Sequence, residues 1–97
     1  KKEKLNQRDS VKLYYLTGTI YAIQGELDSS LVDLKISVAK TSNFLNTLAL
    51  GKIYYAKGNY TQSKIYLDKC LKSPNQNETD LGTAKSLLDY INSINKN

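Results

Sequence analysis

Hydrophobic positions along the chain recur every three or four residues rather than alternately. Over residues 11–24 they fall at Leu13, Leu16, Ile20 and Ile23, with Tyr14 and Tyr21 on a neighbouring stripe. That spacing predicts an α-helix, because a strand would repeat every second residue. Gly25 ends the pattern, as glycine commonly does at a helix C-terminus. Asp28 or Ser29 is then placed to cap a second helix, which runs to about Lys40 with Leu31, Leu34 and Val38 on one face. A third helix, over 44–57, follows a cap at Ser42 or Asn43 and carries Leu45, Leu48, Ala49, Ile53 and Tyr54. Gly58 and Asn59 signal a turn. Thr61 caps a fourth helix that points Leu67, Cys70 and Leu71 inward. Ser73, Pro74 and Asn75 break the chain, since proline cannot continue a helix and disfavours helical geometry before it. Asn77 with Asp80 three residues on resembles a capping box. It opens a fifth helix with Leu81, Ala84, Leu88, Ile91 and Ile94 in register and Leu87 beside them. Nothing reads as a strand, so the predicted fold class is all-α.

Laid over itself with a shift of 33 residues, the chain repeats. Gly18 falls on Gly51, Tyr21 on Tyr54, Gly25 on Gly58, Ser30 on Ser63, Leu34 on Leu67 and Val38 on Leu71. Each recurrence has a physical reading. Gly18 and Gly51 allow the next helix to approach the backbone. Tyr21 and Tyr54 are expected to fill the gap between antiparallel helices. Gly25 and Gly58 permit the reversal. Ser30, Ser63 and Cys70 stand where packing needs a small residue.

This pattern resembles the tetratricopeptide repeat (TPR) family, whose unit is ~34 residues with a large–Leu-Gly–Tyr spacing, a glycine turn and small residues on the second helix. The resemblance implies antiparallel helical hairpins stacked as a short right-handed solenoid of about five helices. Repeat one is 11–43, repeat two 44–76 and a capping helix 77–95. The chain departs from the family at Thr17, where Leu50 keeps the usual leucine, at Thr47, where Tyr14 is the large residue, and in using Ser where Ala is usual.

Composition narrows the function. The chain is 40% hydrophobic and 24% charged, a globular balance. Its formal charge of +5 could mark a nucleic-acid binder, but Lys1, Lys2 and Lys4 stand together in residues 1–10 and the other basic residues are scattered. That points away from nucleic acid. With one Cys and no His there is no ligand set for zinc or an iron–sulfur cluster, and no cofactor is expected. No nucleophile–base pair or phosphate loop stands out, so the chain reads as non-catalytic. Cys70 reads as a small core residue rather than a reactive thiol. The absence of Met is read as a trimmed start. Residues 1–10 are read as a tether or an extension of the first helix, which favours an extracytoplasmic, lipid-anchored setting over a cytoplasmic one. A membrane would be met only through such a tether.

The resemblance also implies where binding occurs. TPR proteins generally hold partner segments on a concave face built from the first helix of each repeat. Here that face is Lys12, Tyr15, Thr19, Ala22 and Ile23 in repeat one. In repeat two it is Leu45, Leu48, Lys52, Tyr55 and Ala56, followed by Leu81, Lys85 and Leu88 on the capping helix. The positions with which some TPR domains clamp a C-terminal carboxylate hold Tyr15, Thr19, Leu48, Ala49 and Lys52, of which only Lys52 fits. The expected function is a protein-interaction scaffold, with another protein or peptide, or a second copy of the chain, as partner. The alternative is an accessory subunit, a lipoprotein, of a bacterial envelope or outer-membrane assembly.

Overall fold

Five helices account for most of the chain in a computed structural model, which describes residues 6–74 and 77–94. They are α1 (Gln7–Ile23), α2 (Leu27–Lys40), α3 (Phe44–Ala56), α4 (Tyr60–Leu71) and α5 (Glu78–Ile94), with no strand among the described residues. Neighbouring helices pack in chain order, and α3 also touches α1 and α5. The fold is therefore all-α, built of helical hairpins. Residues 7–10, read above as tether or extension, belong to α1. Residues 1–5, which include Lys1, Lys2 and Lys4, and Asn75 at the predicted break lie outside the described residues.

The caps differ from the sequence reading at α2 and α4. Asn6 caps α1, accepting from the Asp9 backbone N–H at 2.8 Å, so the helix starts a turn earlier than its apolar pattern. Glu26 stands at the N-cap of α2 without a side-chain bond, and Asp28 pairs with Lys57 on the adjacent repeat instead of capping. Asn59, not Thr61, caps α4 by accepting from the Gln62 N–H at 3.2 Å. Asn43 caps α3 as expected, in a reciprocal box with Asn46. Asn77 caps α5, accepting from the Asp80 N–H at 2.8 Å.

The two hairpins are built alike. Gly25 and Gly58 both adopt φ of 80°, the left-handed region that costs a residue with a Cβ. A Cβ at Gly18 would lie 2.7 Å from Leu34, and one at Gly51 2.8 Å from Leu67, so the second helix presses directly on glycine backbone. The serines that replace alanine do more than stay small. Ser30 Oγ donates to the Gly18 carbonyl and Ser63 Oγ to that of Gly51, each at 2.7 Å. These bonds tie the helices together at the point of closest approach.

Two buried clusters form the core. Leu34 from α2 packs with Leu50, Ile53 and Tyr54 from α3. Phe44, Leu48, Leu67 and Cys70 pack beneath Ala84, Leu88 and Ile91 of α5. Asn46 is fully buried yet satisfied. Its amide donates to Ser37 Oγ (3.0 Å) and to the Thr41 carbonyl (2.8 Å), and its Oδ1 accepts from the Asn43 N–H. Ser37 in turn donates to the Val11 carbonyl at 2.8 Å, so this chain of bonds joins α1, α2 and α3.

The apolar stripe of helix α1 faces outward, with Leu13 43%, Leu16 45%, Ile20 53% and Ile23 82% exposed. Val11 and Gly18 are the residues it buries, with Tyr15 and Ala22 half-buried against α2 and α3. The reason lies in the repeat. On α3 the matching side, which carries Asn46, Leu50, Ile53 and Tyr54, is covered by α2. No helix among the described residues precedes α1 to do the same. Tyr21 is accordingly exposed, whereas Tyr54 is buried and stacks on Tyr66 with ring centroids 5.7 Å apart. Thr17, standing where Leu50 stands, donates instead to Asp33 at 2.7 Å.

Candidate protein-binding surface

The first helices of the hairpins, α1 and α3, meet along an open cleft of about 540 Å³. Helical spacing decides which residues reach it. Lys12 and Tyr15 stand three residues apart on one face of α1, with Leu16 adjoining, and Leu45 stands in the first turn of α3. Those four, with Val11 at the floor and Asn43 and Thr41 at the rim, form a largely apolar lining. Arg8 and Lys12 supply positive charge. Leu45 is 48% exposed and forms a ridge, because a second hollow of about 300 Å³, lined by Phe44, Ser73 and Pro74, lies on its other side.

The predicted site residues thus separate into groups. Lys12, Tyr15 and Leu45 share the cleft. Thr19, one turn along α1, is half-buried, and its hydroxyl donates to the Tyr15 carbonyl at 2.8 Å. Lys52 and Lys85 are exposed on α3 and α5. Leu48 is a correction: at 4% exposure it belongs to the core beneath α5, as does Leu88, because the capping helix covers that part of α3. Of the remaining residues assigned to that face, Ile23 and Ala56 are exposed, whereas Ala22 and Leu81 are half-buried.

Tyr55 is held in a cluster that sequence spacing did not indicate. Its ring meets those of Tyr60 (5.4 Å) and Tyr90 (5.9 Å) edge to face, and Tyr60 and Tyr90 are 6.4 Å apart. Such geometry sets the positive edge of one ring against the negative face of the next. Partial burial, and then the neighbouring phenols of Tyr60 and Tyr90, hold the Tyr55 hydroxyl above its ordinary value. The three residues come from α3, α4 and α5, and only the tertiary arrangement brings them together.

Chemistry elsewhere is sparse. Burial, and then the carboxylates of Asp80 and Asp68, push the Cys70 thiol up to about 11, so it stays protonated at neutral pH and is a poor nucleophile. Among the described residues no group of His, Cys, Asp or Glu could hold a metal, and no helix is long and apolar enough to cross a membrane.

No curated protein and no solved structure matches the chain. Residues 48–77 match the family model of the tetratricopeptide repeat. That stretch holds most of the α3–α4 hairpin, whose glycine contact, serine bond and turn recur in α1–α2. This match, with two such hairpins followed by a fifth helix, fits a TPR-like repeat protein.

Proposed function

We propose that this chain, as TPR repeats generally do, mediates protein–protein interaction, acting as a non-catalytic scaffold that holds a segment of a partner protein against the face formed by α1 and α3. The observation that carries this reading is the apolar cleft between Tyr15, Leu16 and Leu45 with Arg8 and Lys12 beside it. An apolar hollow with a few charged groups at its border suits a short peptide whose bulky side chain enters the hollow. The cations favour a segment with an acidic residue next to that side chain. Lys52, also exposed, stands two turns beyond Leu45 on α3.

A peptide library displayed on phage and selected against the chain tests this. Selected peptides are expected to carry an aromatic or aliphatic residue beside Asp or Glu. They should bind with about micromolar affinity, roughly −8 kcal/mol. The double variant Lys12→Glu, Leu45→Ala should weaken them at least about tenfold, or 1.4 kcal/mol. Lys64→Glu, on the exposed side of α4, should leave them unchanged. A selection that returns no binder, or peptides indifferent to the double variant, overturns the reading.

A further inference from the structure

A different face of α1 is apolar, exposed and patterned. Leu13, Leu16, Ile20 and Ile23 are spaced by three, four and three residues, the a and d positions of a heptad. All four are at least 43% exposed. No charged residue occurs between Lys12 and Glu26 in a chain that is 24% charged. The repeat shows what such a face does elsewhere in the same molecule, since the equivalent side of α3 is the side α2 buries.

We propose that the α1 face pairs with the α1 face of a second copy, making a two-fold dimer with the helices antiparallel. Three observations select this occupant. The seam is self-complementary, because leucine and isoleucine meet leucine and isoleucine under a two-fold axis. The other end of the stack offers no matching stripe to a head-to-tail neighbour: Tyr90 is the large apolar side chain exposed on α5, and it stands among the exposed Lys85, Ser86, Asp89 and Ser93. Charge sets the direction. Asp9 lies one turn before Leu13 on the same seam, so parallel helices would face Asp9 with its own counterpart. Antiparallel helices move Asp9 beyond the partner's Ile23 and bring Arg8 and Lys12 towards the partner's Glu26. Leu16 then lies opposite the partner's Ile20.

The strength follows from size. Helix α1 spans roughly 25 Å and a helix is about 10 Å across. A face one helix wide falls short of the ~800 Å² per partner of a standard interface, so a dissociation constant of about 10–100 µM is expected. The dimer does not depend on peptide binding in the cleft, although Arg8, Lys12 and Leu16 border both.

Sedimentation velocity across concentration reads the mass, with circular dichroism confirming that each variant keeps its helices. The wild-type chain should approach twice its 10.9 kDa at several hundred micromolar. Ile20→Glu and Leu16→Lys should each stay monomeric. Ile20 is more than half exposed, so its variant should fold as wild type. An equal mixture of the two variants should regain a dimer, because antiparallel pairing sets the introduced lysine of one against the introduced glutamate of the other. A wild-type monomer throughout, which leaves the face to a helix of another protein, overturns the proposal. So does a dimer that survives both substitutions, or a mixture that stays monomeric. Peptide binding to the cleft can fail without altering any of these results.

Discussion

Gly51→Ala isolates the contact on which the hairpin closes. The added Cβ would lie 2.8 Å from Leu67 Cδ2, 2.9 Å from its Cγ and 3.3 Å from its backbone nitrogen. Leu67 is fully buried, so it cannot swing into solvent, and α4 itself must retreat. Overpacking of this kind costs about 1–3 kcal/mol. The retreat also stretches the 2.7 Å bond from Ser63 to the Gly51 carbonyl, a contribution of about 1 kcal/mol. Against this, alanine is a better helix former than glycine by about 1 kcal/mol. The net is a loss of about 1–3 kcal/mol, which for a chain of this length lowers Tm by about 4–8 °C per kcal/mol. Gly82→Ala is the matched control. Nothing lies within 4 Å of its Cβ, so only the helix-forming term remains and the variant should gain up to about 1 kcal/mol. Gly18→Ala should fall between them. Its Cβ meets Leu34 just as closely, but the outer side of α1 is open and the helix can yield. Urea unfolding followed by circular dichroism gives all three values. If Gly51→Ala proves as stable as Gly82→Ala, the hairpin has slack at this point and the close-packing argument is wrong.

Asn46→Ala should cost about 2–3 kcal/mol in the same assay, because it strands the Asn43 N–H and the Thr41 carbonyl and removes a partner of Ser37 in a buried site. Asn43→Ala, which removes only a cap bond, should cost about 1 kcal/mol; equal losses would refute the network reading. Alkaline pH should unfold the chain partly through Cys70. Its folded value is raised, so the contribution is fully present below the ordinary value near 9 and is lost as pH rises through about 11. Over that window the thiol accounts for at most about 2–3 kcal/mol, and Cys70→Ala should show a shallower fall in stability between pH 8 and pH 11. Parallel curves for the two proteins would remove Cys70 from the account.

Local information determined much of this protein. Apolar periodicity was enough for five helices and no strand, because the 3.6-residue period is a property of consecutive residues. The recurrence of Gly18, Gly25, Ser30 and Leu34 at Gly51, Gly58, Ser63 and Leu67 was enough for the repeat, because each residue type answers a backbone demand that recurs with it. Lys12, Tyr15 and Leu45 could be chosen because their positions on the first helices follow from the repeat. What periodicity cannot tell is which of two apolar faces is covered. Helix α1 carries one at Val11, Tyr15, Gly18 and Ala22 and another at Leu13, Leu16, Ile20 and Ile23. The structure covers the first, because α2 and α3 lie on that side and no described helix lies on the other. The same ambiguity removed Leu48 from the candidate surface, since the direction in which α5 returns over α3 depends on the packing of α4. It also hid the meeting of Tyr55, Tyr60 and Tyr90, residues on three helices whose proximity is a property of the stack and of no single segment. Spacing along a chain says which residues share a face; only tertiary packing decides what that face meets.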